Sequence, residues 1–291
     1  MKRICVLRLL FAVSMILMVF TSSANGIKRK HGTIKFENGN TYVGEYAKIE
    51  VKISANTTKK MKLPHGKGQM TCTNGDRKNG YWSKGELING TWQYANGNTF
   101  IGTCEKYLPE KGTMTYVSEG SIIVNGTRWI YPADSKFKGS FMDGSPTTGN
   151  FDRPIVSADG REFSGHIQNG RRQLGVMVFP NGDSFTEGFT WSGECKDGKY
   201  KYAEETVVKI DTCAWSIPAG CTFSGKMQTF TGRFDKTIRD VNTNNQYVGN
   251  LENGQPVGKG TMIYANGDEY TGNFKMWQPD GEGTMAYANG D

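Results

Sequence analysis

The sequence predicts an all-β fold in which stacked β-hairpins form an elongated, curved, antiparallel sheet of a single layer. Three observations predict it. Glycine is abundant, with 38 residues against 9 prolines in a chain of 291. Aromatic residues make up 12% of the chain, and glycine combined with aromatics is typical of many short strands joined by tight turns. A block of residues centred on Asn-Gly also recurs along the chain, which indicates a repeat architecture.

The recurring block is clearest at residues 258–274, GKGTMIYANGDEYTGNF, and much of it returns 23 residues later as GEGTMAYANGD. Its central Asn266-Gly267 pair predicts a hairpin turn, because both residues of such a turn must accept a positive φ. Side chains alternate between the two faces of a strand. One face of this hairpin therefore receives its glycines and rings, which are Gly258, Gly260, Tyr264, Tyr270, Gly272 and Phe274.

A lone hairpin is marginally stable in water, so the copies are expected to stack side by side. The inward positions of the other copies complete the predicted structural core, which adds Tyr42, Gly44, Tyr46, Trp92, Tyr94, Phe100, Gly102, Phe179, Phe185, Gly283 and Tyr287. Most of these rings are expected to pack on one another. The alternative is that a curved single-layer sheet, which cannot enclose all of them, leaves an aromatic groove that also binds a partner.

These units resemble the MORN repeat family, whose units read as aromatic-x-Gly-x-aromatic, then Gly-x-Gly, then a tyrosine before the turn. The resemblance covers most of residues 30–291, although unevenly. It implies a non-catalytic module for protein–protein binding, self-association or scaffolding. The alternative is a surface that binds phospholipid headgroups or, through exposed Trp and Tyr rings, glycans.

The copies differ in quality along the chain. MORN repeats are predicted over residues 25–191, with a polar and basic loop or long hairpin inserted at 47–62 and degenerate copies over 105–170. Residues 192–244 contain no Asn-Gly turn and are predicted to be an irregular β segment. Repeats resume over residues 245–291. The last copy stops just past its turn, which predicts an incomplete hairpin with an unpaired edge.

Residues 1–24 are predicted to be a signal peptide. Basic residues precede an apolar run at Leu9–Phe20, and Ser22-Ser23-Ala24 supplies the small residues that cleavage requires. The chain is therefore expected to be periplasmic, displayed on the cell surface or secreted. Removing Lys2, Arg3 and Arg8 lowers the formal net charge from +7 to +4, and this mild charge argues against nucleic acid as a partner.

No catalytic residue, metal site or cofactor is predicted. The three histidines are isolated and Cys-x-x-Cys is absent, so the sequence does not support a zinc site. Aspartates recur directly after the Asn-Gly turns, as turn chemistry predicts. Cys213 and Cys221, the closest pair of cysteines after the signal peptide, are the preferred candidates for a disulfide in an exported chain. The alternative ranked last is an enzyme that uses residues 192–244.

Overall fold

The computed structural model describes residues 27–54, 57–190 and 192–290, so the predicted signal peptide at 1–24 lies outside the described residues. Within these ranges the chain is almost entirely β, with 25 strands and a 3-10 turn at Met227–Thr229. The predicted all-β class with an open antiparallel sheet is confirmed. Over the same ranges, no helix has the length and hydropathy of a membrane span.

The chain divides into two units, Met1–Met114 and Thr115–Asp291. Strands β1 to β6 of the first unit pair antiparallel in chain order. The strands of this unit, the last of which ends at the boundary, are β1 (Lys30–Lys35), β2 (Thr41–Ser54), β3 (Thr57–Thr71), β4 (Arg77–Ser83), β5 (Glu86–Gln93), β6 (Thr99–Glu105) and β7 (Leu108–Thr115).

The second unit contains eighteen strands. They are β8 (Gly120–Val124), β9 (Thr127–Tyr131), β10 (Lys136–Met142), β11 (Ser145–Phe151), β12 (Ile155–Ser157), β13 (Glu162–Gln168), β14 (Arg171–Val178), β15 (Ser184–Phe189), β16 (Cys195–Lys201), β17 (Thr206–Ile210), β18 (Cys213–Ile217), β19 (Thr222–Lys226), β20 (Thr231–Phe234), β21 (Ile238–Asp240), β22 (Gln246–Glu252), β23 (Gln255–Ile263), β24 (Glu269–Lys275) and β25 (Gln278–Ala286).

Glycines pair with glycines across the sheet. In the first unit, strand register aligns six of them in one continuous row, Gly32, Gly44, Gly68, Gly80, Gly90 and Gly102. In the second unit, a row of four crosses β22 to β25, Gly249, Gly260, Gly272 and Gly283. These rows set the register of the hairpins, because a one-residue slip would move every ring to the opposite face.

The paired glycines leave no room for a side chain. A Cβ at Gly80 would lie 2.1 Å from Asn89 O and 2.7 Å from the Cα of Gly90. Where an aromatic residue lies two positions before the glycine, its ring covers the glycine row. At Gly272, for example, a Cβ would clash with the Tyr270 hydroxyl. Glycine is therefore required here by the close approach of two backbones and a ring.

Residues 47–62 were predicted to be a loop or a long hairpin, and the described residues 47–54 and 57–62 form two paired antiparallel strands. Strands β2 and β3 run for 14 and 15 residues, and Ala47 pairs with Leu63 at the base of the added length. Its alternation of buried and exposed residues is the pattern of a strand with one covered face, since Ala47 and Ile49 are buried whereas Lys48 and Glu50 are exposed.

The degenerate and irregular segments contain two copies of one longer module. In the first copy (residues 120–168), the hairpin β8–β9 precedes the β10–β11 pair, β9 pairs with β12, and β11 pairs with β13. In the second copy (residues 206–252), the hairpin β17–β18 precedes β19–β20, β18 pairs with β21, and β20 pairs with β22. The pairing scheme is the same in both.

Equivalent residues make equivalent contacts in the two long modules. The backbone N–H of Lys136 donates to Asp152 at 2.6 Å, and that of Thr222 donates to Asp235 at 2.6 Å. The Arg153 side chain donates to Ala133 O at 3.0 Å, and the Lys236 side chain donates to Ala219 O at 2.8 Å.

The sequences WIYPADSKFKGSF (129–141) and WSIPAGCTFSGKM (215–227) share the residues that build the long module. Trp129 and Trp215 are the largest buried side chains of their respective copies, at 0% and 2% exposure. Each belongs to its own hydrophobic cluster. Residues 105–170 and 192–244 thus depart from the short repeat because an extra hairpin is inserted before the glycine-paired strands.

We expect Gly80→Ala to lower the free energy of unfolding by about 1–3 kcal/mol, because the new methyl group forces the β4 and β5 backbones apart. The matched control is Asn79→Ala, whose side chain is exposed on the opposite face and whose loss should cost within about 0.5 kcal/mol. Urea denaturation of both variants measures the difference. Equal midpoints would contradict the assignment of Gly80 to a closely packed row.

Candidate partner-binding surface

The rings of the aromatic face fall into two rows that differ in exposure. In most hairpins one ring covers the paired glycines, and Tyr42, Phe100 and Phe185 are fully buried in this way. The Tyr42 hydroxyl donates to Glu45 O at 2.7 Å. Burial, with a smaller effect from the Glu45 carboxylate, raises the pKa of Tyr42 to about 12. These rings stabilise the fold and are not accessible to a partner.

Each unit also has a second group of rings, which we call its pre-turn row and in which each ring lies two residues before the Asn of an Asn-Gly turn. Its N–H donates to the carbonyl four residues later, as in Tyr94 to Asn98 at 2.9 Å. The ring therefore projects from the end of the strand, where fewer neighbours cover it. The members are Phe36, Tyr94, Phe179, Tyr264 and Tyr287, of which the first four are half-buried and Tyr287 is 51% exposed.

In the first unit, the pre-turn ring Tyr94 stacks on Trp92, with ring centroids 4.8 Å apart and planes 15° from parallel. The Lys78 ammonium lies 3.3 Å from the centroid of the Trp92 ring, a cation–π contact. Lys78 stands where most copies carry their first aromatic residue. Burial lowers the pKa of this amine. The departure from the repeat thus places a cation on the buried Trp92 ring, which stacks on the half-buried Tyr94.

In the second unit, Phe179 lies 5.7 Å from the ring of Tyr200. The Tyr200 hydroxyl donates to the Asp183 carboxylate at 2.8 Å. Burial and this hydrogen bond to a carboxylate both raise the pKa of Tyr200. The phenol therefore stays protonated at neutral pH and acts as a hydrogen-bond donor.

The aspartates that follow the Asn-Gly turns connect each turn to the next one. Asp76 accepts the N–H of Ala95 at 2.9 Å, and Asp183 accepts that of Ala203 at 2.7 Å. Asp76 also accepts the indole N–H of Trp92 at 3.1 Å. Sequence reasoning assigned these aspartates to their own turns and missed this contact, which depends on a residue 19 or 20 positions later. In the same way Asp268 accepts the N–H of Ala288 at 2.9 Å, which links the turns of two pre-turn rings, Tyr264 and Tyr287.

The segments that match a known protein family consist of these hairpins. The family model of the MORN repeat matches residues 59–77, 163–184, 247–269 and 270–291. The chain contains MORN repeats. MORN repeats are generally modules that interact with proteins or lipids, and they are generally non-catalytic. The second and third matched segments begin at Phe163 and Tyr247, which occupy equivalent positions in the two long modules.

Two solved structures align along most of the chain at low similarity. The TCP10 domain of Danio rerio CPAP is 14% identical, with 89% of this chain and 95% of that one covered at a TM-score of 0.19. A catalytically inactive virginiamycin B lyase from Staphylococcus aureus is 11% identical, with 88% of each chain covered at a TM-score of 0.12. Both scores are too low to indicate a shared fold. No curated protein matches the chain.

The predicted core residues of the MORN hairpins take different places in the two rows. Trp92, Tyr270 and Phe274 are buried with the rings described above, whereas Tyr46 is half-buried. The glycine rows contain Gly44, Gly102, Gly260, Gly272 and Gly283. Gly258 differs, since it pairs with Phe274 and has a left-handed φ of 63°.

Cys213 and Cys221 are both free thiols in the structure, so the predicted disulfide is absent there. Cys213 opens β18, whose five residues span about 13 Å, and the chain then turns before Cys221. A disulfide requires Cα atoms closer than about 7 Å. The pairing of Cys213 with Cys221 stays a prediction from the sequence.

Arg172 is a buried cation that sequence reasoning missed. It is 5% exposed, and its guanidinium lies 5.0 Å from the ring of Trp129 and 5.6 Å from that of Phe189. It donates to Gly193 O at 2.7 Å, and burial lowers its pKa to about 10. Its role is structural, since it joins the first long module to the turn before β16. A lone arginine in a sequence gives no signal of such a contact.

We expect Asp183→Ala to lower the free energy of unfolding by about 1–3 kcal/mol, because the Ala203 N–H and the Tyr200 hydroxyl both lose their acceptor. The exposed Asp197 on β16 provides the control, and Asp197→Ala should change stability within about 0.5 kcal/mol. Thermal unfolding followed by circular dichroism measures both. If the two variants melt alike, the carboxylate does not connect neighbouring turns.

Proposed function

We propose that this chain is an exported, non-catalytic scaffold that binds a protein partner through its pre-turn row. The observation that carries the proposal is the exposure of these rings. Phe36, Tyr94, Phe179 and Tyr264 stay half-buried although the neighbouring row is closed. Half-exposed Tyr and Phe rings offer a large apolar contact area and lose little conformational entropy on binding. Such rings are enriched at protein interfaces.

The rings are held in position before a partner arrives, and this order supports a role in binding. Each ring is set by its own turn, and Asp268 ties the turn of Tyr264 to that of Tyr287 because it accepts the Ala288 N–H at 2.9 Å. A surface that is ordered before binding loses less entropy when the partner arrives.

The groups that could serve catalysis have structural partners. The Asp76 carboxylate accepts two hydrogen bonds from protein donors and the Asp183 carboxylate accepts three. Burial raises the pKa values of the Cys104, Cys195 and Cys221 thiols to about 11, so little nucleophilic thiolate exists at neutral pH. In residues 192–244, Asp235 accepts the Thr222 N–H at 2.6 Å. These contacts support a scaffold over an enzyme.

The test is quantitative cross-linking of the mature chain in its native compartment, followed by mass spectrometry. We expect Tyr264→Ala to reduce recovery of the principal partner at least tenfold, because truncating an aromatic anchor typically costs about 2 kcal/mol or more. Leu174→Ala is the control, since Leu174 is an apolar side chain of the same unit that is 63% exposed. Circular dichroism checks that both variants fold.

The proposal fails if Leu174→Ala removes the partner as strongly as Tyr264→Ala. It also fails if both variants keep the partner. The same material tests export, because cleavage after Ala24 predicts an N-terminus at Asn25. Recovery of the intact N-terminus in the cytoplasm would contradict that part.

A further inference from the structure

We infer that a small monovalent anion of the halide class binds beneath the β8–β9 hairpin of the first long module. The site consists of Trp129 on β9, Arg161 directly before β13, and Arg172 on β14. All three residues belong to the second unit. None of them belongs to the pre-turn row, so this inference goes beyond the proposed function and either can fail alone.

Three N–H groups at this site are buried and have no acceptor among the residues that the structure describes. They are the indole Nε1 of Trp129, the Nε of Arg161 and the Nε of Arg172. Trp129 is 0% exposed and Arg172 is 5% exposed. A buried donor that has lost its hydrogen bond to water and gained no other is costly. Three such donors in one place indicate an acceptor that the protein itself does not supply.

The three side chains are close neighbours. The guanidinium carbon of Arg172 lies 5.0 Å from the centroid of the Trp129 ring, and that of Arg161 lies 6.0 Å from the same centroid. Burial lowers the pKa of Arg172, and the nearby charge of Arg161 lowers it further. The unpartnered donors therefore belong to three side chains grouped around one ring.

The site carries one positive charge that no carboxylate balances. The Asp159 carboxylate lies 2.8 Å from the guanidinium of Arg161 and neutralises it. Arg172 makes no ion pair with a residue in the described ranges, and it donates to the neutral carbonyl of Gly193 at 2.7 Å. The Cys195 thiol is neutral, because burial raises its pKa to about 11. A buried charge without a counter-ion is strongly disfavoured, so a single negative charge suits the site better than a water molecule.

The donor set favours a spherical ion over a carboxylate or a phosphate. Those planar or tetrahedral anions are typically bound by two parallel N–H groups of one guanidinium. Here Trp129, Arg161 and Arg172 each contribute one unpartnered N–H from a different direction of the chain. One acceptor atom can serve all three, and their burial excludes a large organic anion. Chloride has the required charge and size.

The second long module provides an internal comparison. Trp215 occupies the place of Trp129, and its indole N–H also has no acceptor among the described residues. Pro256, however, takes the register position of Arg172. The Trp215 ring stacks on Trp277, with centroids 4.6 Å apart, where Trp129 has guanidinium groups beside it. This module has the unpartnered indole without the unbalanced charge, so the inference concerns the first long module alone.

A bound anion would hold the inserted hairpin onto the strands beneath it. Trp129 belongs to the hairpin, whereas Arg161 and Arg172 belong to the segments of β13 and β14. The Asn125 side chain at the tip of the hairpin already accepts the backbone N–H of Arg172 at 2.9 Å. An ion shared by the three side chains adds a second connection, and occupancy of the site should therefore stabilise the folded chain.

The test is thermal unfolding of the mature chain in sodium chloride and in sodium gluconate at equal ionic strength. We expect chloride to raise the melting temperature relative to gluconate, because a ligand that binds only the folded state stabilises it. The half-maximal effect should fall below about 0.15 M, the ionic strength of physiological solutions.

Two matched variants locate the effect. Trp129→Phe keeps an aromatic ring and removes the N–H, and it should weaken the apparent affinity for chloride roughly tenfold, as expected for one hydrogen bond to a charged group. Trp215→Phe removes the equivalent unpartnered N–H from the second long module, and it should leave the chloride dependence of the wild type unchanged. Equal melting of the wild type in the two salts, or an equal loss of chloride affinity in the two variants, would overturn the inference.

Crystals of the wild type soaked in bromide test the site directly and do not depend on the folding of either variant. We expect an anomalous peak among the Nε1 of Trp129 and the Nε atoms of Arg161 and Arg172. Electron density without an anomalous signal would identify a water molecule. That result, or the absence of any density between these atoms, would also overturn the inference.

Discussion

The close approach of paired glycines is the constraint on which the rest of this structure depends. Where Gly80 meets Gly90, the backbones are so close that even a methyl group has no space. A ring then covers the pair, as Tyr270 does at Gly272 and Gly283. This one arrangement fixes strand register and buries one row of rings. It also leaves the ring before each turn at the end of the strand, where it is partly open to solvent.

The sequence was sufficient to predict this arrangement wherever an Asn-Gly turn accompanied the glycines. Residues 258–274 gave the inward set directly, and strand pairing places Gly260 and Gly272 opposite each other as that set requires. The sequence did not predict the two long modules. Equivalent residues of the two copies are separated by roughly four hairpins, far more than the length of one short repeat. Trp129 and Trp215 lie 86 residues apart, and the glycine pairs Gly139–Gly149 and Gly225–Gly232 have no Asn-Gly between them.

The sequence predicted the aromatic face of the candidate site, but it did not predict which rings of that face are exposed. Alternation identified the aromatic face but could not divide it into a closed and an open row, because burial depends on neighbouring hairpins. The carboxylate of Asp183 binds the backbone of Ala203, a contact that only three-dimensional stacking creates. The basic stretch at 47–62 showed its charge in the sequence. Which of its residues lie opposite one another, such as Lys48 and Lys62, required the strand register.

The most direct test of the glycine-row account is a measurement of Hα–Hα nuclear Overhauser effects between paired glycines in solution. Gly80 and Gly90 represent the clear repeats, and Gly225 and Gly232 represent the segment where the repeat is hardest to recognise. A Cβ at either Gly80 or Gly225 would lie 2.7 Å from the Cα of its partner, so strong cross-peaks are predicted for both pairs. A cross-peak for Gly80–Gly90 without one for Gly225–Gly232, or the absence of both, would contradict the account.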